Sequence, residues 1–101
     1  MKPKCEVRLL PQAEEDFLEI IHYIAEDKPS AVEKMADRFE KAFLSLSENP
    51  MAGRTTRDNR LKLLQYRVLI VESYLVFYRI KNRIVYVFRI LHGARDYINI
   101  L

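Results

Sequence analysis

The spacing of apolar residues changes period once along this chain, and that change limits the folds open to it. From Pro11 to Asn49 apolar residues recur at steps of three and four. From Leu61 to Leu91 they stand in short runs rich in Val, Ile, Tyr and Phe, broken by polar pairs. The first pattern belongs to amphipathic helices and the second to strands.

Pro11 suits the first position of a helix, where its missing N–H costs nothing. Ala13, Phe17, Ile20 or Ile21, and Ile24 then form one apolar stripe. Glu14, Glu15 and Asp16 in the opening turns read as partners of the helix dipole. The stripe ends near Asp27-Lys28-Pro29. Ser30-Ala31-Val32-Glu33 has the spacing of a capping box and predicts a second helix from there. That helix would bury Val32, Met35/Ala36, Phe39, Phe43 and Leu46 and stop at Asn49-Pro50. Two amphipathic helices with a short link read as an antiparallel hairpin.

Ahead of it, residues 4–10 alternate loosely, with Cys5, Val7 and Leu9 on one side of a short strand. Residues 51–60 lack periodicity and read as a basic loop. Leu61–Val71, Tyr74–Ile80 and Ile84–Leu91 read as three strands, turning at Glu72-Ser73 and at Lys81-Asn82-Arg83. Gly93 allows a change of direction, and the tail beyond it has room for one helical turn. The expected architecture is α+β, in the order β-α-α-β-β-β. An N-terminal strand leads into a helical hairpin, which packs on one face of a mainly antiparallel sheet. No predicted element covers the other face, so a ligand is expected there. With 101 residues the chain supports one core, a single domain over 1–101.

Several classes of function drop out. No apolar run approaches bilayer-spanning length, and Met1-Lys2-Pro3-Lys4 leads into no signal-peptide core, so a cytoplasmic protein is expected. Cys5 is the single cysteine, which rules out an internal disulfide. His22 and His92 are far apart and lack ligand spacing, so neither a metal nor a cofactor is expected.

Charge is split by position. Residues 1–50 hold seven Lys/Arg and eleven Asp/Glu, a net of −4; residues 51–101 hold ten and three, a net of +7. Eight of those ten cations are arginines: Arg54, Arg57, Arg60, Arg67, Arg79, Arg83, Arg89 and Arg95. The planar guanidinium fork suits phosphate and carboxylate recognition. A half this rich in arginine points to a polyanion or an acidic partner segment.

The run Tyr74-Leu75-Val76-Phe77-Tyr78-Arg79-Ile80, a short turn, and Ile84 through Phe88-Arg89-Ile90-Leu91-His92-Gly93-Ala94-Arg95-Asp96 resembles the RelE/ParE superfamily of bacterial toxins. Arg67 ahead of Glu72-Ser73-Tyr74, and Asn49-Pro50 with Gly53-Arg54 after the second helix, extend the resemblance over nearly the whole chain. It implies the toxin half of a type II toxin–antitoxin pair. The partner would be a small acidic antitoxin whose C-terminal segment folds onto the hairpin and sheet. RelE-like members cleave mRNA in the ribosomal A site; ParE-like members poison DNA gyrase. RelE has an arginine directly after the tyrosine that begins the central strand. Here that position is Leu75, and Lys62 stands alone where RelE carries a lysine pair, so the pattern is closer to ParE.

Under the ParE-like reading, target-binding candidates are Arg54, Arg57, Arg60, Arg67, Arg89 and Arg95. Under the nuclease alternative, Arg67, Arg89 and Arg95 would hold the phosphate, with His92, Tyr97 or Glu72 moving protons. A third alternative is a non-toxic basic binding module. Arg89, among apolar neighbours, is expected either to pair internally, with Asp96 as the nearest acid in sequence, or to face a ligand. His92 and Tyr97 have plain alternatives in closing a turn and anchoring the C-terminus, and Glu72 in a solvated turn.

Overall fold

The computed structural model describes residues 4–93. β1 (Glu6–Leu9) leads into α1 (Pro11–Asp27), and a 3₁₀ turn (Pro29–Ala31) joins it to α2 (Val32–Glu48). Then come β2 (Arg54–Thr55), α3 (Asn59–Leu63), β3 (Arg67–Val71), β4 (Tyr74–Lys81) and β5 (Ile84–His92). The five strands form one sheet in the order β1-β5-β4-β3-β2. β1 runs parallel to β5, and every other pairing is antiparallel.

The helical hairpin lies across one face, as the two apolar stripes require. Ala13 and Ile20 of α1 and Phe39 and Leu46 of α2 meet Val71, Val76, Tyr78, Val85, Val87 and Ile90 of the sheet in the main core. Phe17 meets Phe39 edge-on at 5.4 Å. Because strand side chains alternate, the residues between these point to the opposite face.

Three expectations need correction. Ser30 caps nothing: it lies inside the 3₁₀ turn, α2 starts after Ala31, and Ala31 already has helical torsions. A cap needs extended backbone, which Pro29 and so short a link do not leave room for. The stretch from Asn59 to Leu63 is helix, not the start of a strand. Asp58 caps it by accepting from the Leu61 amide at 3.0 Å, and Gln65, at φ 64°, lies between it and β3. Lastly, the face away from the hairpin is not bare. α3 brings Leu61 onto it, and Leu61, Tyr66, Phe77 and Leu91 form a second buried cluster. The basic stretch 51–60 likewise contains β2, paired to β3 through Arg54–Val68 and Thr55–Arg67.

Two hairpin turns carry non-glycine residues at positive φ. Asn82 and Arg83, between the paired Lys81 and Ile84, sit at 51° and 64°. A two-residue turn with both φ positive favours asparagine then glycine, and the arginine side chain is strained there. Arg83→Gly should raise stability by about 1 kcal/mol, which thermal unfolding would record as a Tm increase of about 4–8 °C. An unchanged or lower Tm would contradict the strain.

Candidate target-binding face

Strand register assembles the face opposite the hairpin. Ile70, Leu75 and Leu91 form one rung across β3, β4 and β5. Beside it, Arg54, Val68 and Phe77 form another across β2, β3 and β4. Directly opposed residues share a face. Val68, Ile70, Leu75 and Phe77 therefore floor a shallow depression of about 190 Å³, with Arg54 and Arg57 among its walls. Ile70 is 54% exposed, while Phe77 and Leu91 beneath are buried. Arg54 and Arg57 are exposed, and neither has an acidic partner among the described residues. The combination is an apolar strip edged by free guanidinium groups.

Further along the same face, Arg79 lies over the rings of Tyr66 and Phe88, its guanidinium carbon 5.6 and 5.7 Å from their centroids. Register places Tyr86 beside Arg79 and Arg8 beyond it. Arg8 is hydrogen-bonded to Glu6, at 2.8 Å, and that bond and the carboxylate's charge push its guanidinium pKa upward.

The other expected arginines face elsewhere. Arg89 reaches the helical side, where its Nε and Nη2 donate to the two carboxylate oxygens of Asp16 at 2.7 and 2.9 Å. The Ile90 amide donates to the same carboxylate at 3.0 Å. Asp16 is 5% exposed, and its hydrogen bonds raise the Arg89 pKa against the opposing effect of burial, helped by Glu19 and Glu15. Arg89 thus stays charged wherever the protein is folded. Its partner among the described residues is Asp16 of α1; Asp96 lies outside them. Asp16 acts as this buried partner and not as a dipole complement in the first turn. A bulge where β5 passes Phe77 and Tyr78 shifts the alternation, so that Ile90 packs on the helical side and Leu91 on the other.

Arg67 is also turned inward. Its Nη2 donates to the carbonyls of Met51 and Gly53 at 3.2 and 2.7 Å. Glu72, at φ 54° in the β3–β4 turn, pairs with Arg38 of α2. His92 ends β5 edge-on to the Tyr74 ring at 5.6 Å. Burial, and then the nearby Tyr23, push the Tyr74 hydroxyl pKa up, so it stays neutral at physiological pH. His92 and Tyr74 belong to a cavity of about 590 Å³ on the helical side, not to the arginine-edged depression. Arg60 is exposed on α3. Arg95, Asp96, Tyr97 and the expected tail turn lie outside the described residues. Among the described residues no three His, Cys, Asp or Glu side chains converge to hold a metal ion, and no helix is long and apolar enough to cross a membrane.

The structure therefore brings Arg54 and Arg57 together and separates them from Arg67, Arg89, His92 and Glu72. Residue-by-residue reading passed over the apolar floor and Arg79, although alternation within Val68–Ile70 and Leu75–Arg79 signals both. It also passed over Asp16 as a partner. The signal was there: an acid three residues after Ala13 and four before Ile20 sits within the buried stripe.

Fold and face together define a small α+β protein that offers an arginine-rimmed sheet surface. A profile of the ParE toxin of type II toxin–antitoxin systems (parDE) matches residues 7–97. The chain belongs to that family. A curated relative, Toxin RelE2 of Caulobacter vibrioides, is 32% identical over 80 residues, spanning 79% of this chain and 85% of its own. Among solved structures, the chromosomal ParDE system of P. aeruginosa superposes with a TM-score of 0.70 at 20% identity, covering 90% of this chain and 98% of that one. The toxin–antitoxin complex RelBE2 of Mycobacterium tuberculosis gives 0.64 at 24% identity, over 94% and 98%. These likenesses bear out the mixed sheet with its helices as the fold.

Asp16→Ala should cost about 3–5 kcal/mol, because it leaves Arg89 charged and unpartnered under α1. Replacing both residues, as Asp16→Leu with Arg89→Met, should recover part of that loss, since the Arg89 charge is gone but the Ile90 amide still lacks its acceptor. Chemical denaturation of the three proteins checks this, and a double variant no better than the single would contradict it.

Proposed function

We propose that this chain is a toxin that acts by docking on a protein target, DNA gyrase, through the apolar strip of the open sheet face. The observation that carries the reading is the position of Leu75. Where the RelE pattern has an arginine, this chain has a leucine packed with the cluster of Leu61, Tyr66, Phe77 and Leu91. Cleaving a phosphodiester bond calls for several donors aimed at one phosphate. Here the central rung is Ile70-Leu75-Leu91, with no donor in it. An exposed apolar patch with arginines at its rim has the make-up of a protein-binding hot spot.

The cognate antitoxin is proposed to be acidic in the segment that covers this face, which would inhibit by occlusion. Arg54, Arg57 and Arg79 supply the complementary charge. The helices come from the half of the chain with a net charge of −4. An acidic segment is therefore repelled from the hairpin and would meet it through apolar side chains only. A groove of about 490 Å³ lined by Val7, Phe17, Phe39, Phe43 and Leu44 is available for those.

One observation favours the ribosome-dependent nuclease as a second reading. Arg79 lies over the rings of Tyr66 and Phe88, with Tyr86 next to it in register, a grouping of aromatic rings and charge of the kind that single-stranded RNA bases use. The two readings separate in paired assays. Purified protein is expected to inhibit gyrase supercoiling and to leave mRNA on a programmed ribosome intact. Ile70→Lys should weaken gyrase inhibition at least tenfold, with Tm changed by no more than a few degrees because the side chain is over half exposed. A-site cleavage with supercoiling untouched would replace the first reading by the second. Inactivity in both assays, without growth arrest on expression, would favour a non-toxic binding module.

A further inference from the structure

The segment joining α2 to β2 is held by more than its own backbone. Tyr78, fully buried in β4, donates its hydroxyl proton to the Pro50 carbonyl at 2.7 Å and accepts from the Gly53 amide at 2.9 Å. Arg67 donates to the carbonyls of Met51 and Gly53. Gly53 has no room for a side chain: a Cβ there would lie 2.5 Å from the Tyr78 hydroxyl and 2.8 Å from the Val68 carbonyl oxygen. Two side chains from adjacent strands thus close on Pro50, Met51 and Gly53, and the next residue is Arg54. β2 itself has only two residues and, among the described residues, pairs only with β3. So short a strand does not hold its own position, because two residues of ladder barely offset the entropy of ordering them.

We propose that Tyr78 and Arg67 form a clamp that positions Arg54 and Arg57 at the rim of the open face, so that both act on target binding without touching the target. Tyr78 lies on the helical side and cannot contact anything docked on the strip. Arg67 is half-buried, with its Nη2 committed to carbonyls. Their effect is transmitted through the carbonyls of residues 50–53 into the path of β2, which sets where the two free guanidinium groups stand relative to Ile70 and Leu75. This rests on the proposed docking face.

Tyr78→Phe keeps the buried ring and removes only the hydroxyl. It is expected to speed hydrogen exchange at the Gly53 amide at least tenfold while amides of α1 and β5 stay protected. Potency comes from the inducer level for half-maximal growth arrest, normalised to protein amount, in four proteins: wild type, Tyr78→Phe, Arg54→Ala/Arg57→Ala, and all three changes together. Tyr78→Phe should lower potency about tenfold in the wild type and less than twofold once both rim arginines are gone. A merely structural role would give the same loss in both backgrounds and would overturn the proposal, as would unchanged exchange at Gly53. Full potency of Arg54→Ala/Arg57→Ala would overturn the positioning role, whereas the docking reading falls only if Ile70→Lys also keeps full potency. In that case the exchange result alone still reports whether the clamp holds the segment.

Discussion

The carboxylate of Asp16 is the point on which the layered structure depends. β1 ends at Leu9, opposite Val87, so β5 continues upward with no strand of the described residues on that side. Its exposed edge amides there would be orphaned beneath α1, and buried orphan donors are costly. Asp16 takes the place of the missing strand for Ile90 and accepts the Arg89 fork with its remaining lone pairs. One side chain thereby fixes the rotation of α1 on the sheet. It also draws Arg89 out of the opposite face, leaving that face apolar at its centre. Apolar side chains of similar volume could fill the space of the charge pair, but they would leave the Ile90 amide without an acceptor.

That choice sorts the arginines into two populations. Arg67 and Arg89 are spent internally, one on backbone carbonyls and one on a carboxylate. Arg54 and Arg57 stand exposed at the rim without an acidic partner among the described residues, and Arg79 is spread over two aromatic rings. The apparent richness of the second half in arginine therefore overstates what a ligand would meet. A partner would find an apolar strip with a few charges at its border. That composition rewards shape and desolvation first and uses charge mainly to steer and align.

How much of this could be read from residues alone follows the range of the interactions. Helix periods, the proline and asparagine stops, and the hairpin turns are local, and they place α1, α2, β4 and β5 closely. α3 was hidden because Leu61 and Leu63-Leu64 resemble a strand run, and only the Asp58 cap and the buried contact of Leu61 select helix. The failed capping box shows the converse, a correct motif overridden by Pro29 and a short link. For the site, Arg54 and Arg57 were legible because they lie in an exposed stretch. The partners of Arg67 and Arg89 were not, because they sit 14 and 73 residues away and are brought near only by the sheet. Sequence proximity pointed to Asp96, which lies outside the described residues, and gave no hint of Asp16.

The same distinction bears on how one fold serves different targets. The helical layer and its anchor at Asp16 set the sheet's twist and edges without touching the open face. Residues 68, 70 and 75 can therefore change at little cost to the main core, because their side chains lie on the other face. In this chain those positions hold Val68, Ile70 and Leu75, partly exposed or only half-buried. Burying an arginine there would demand a partner that the face does not contain. A leucine demands only an apolar surface to meet it. Three apolar side chains on β3 and β4, on a scaffold held from the other side, leave the centre of that face without a cationic donor.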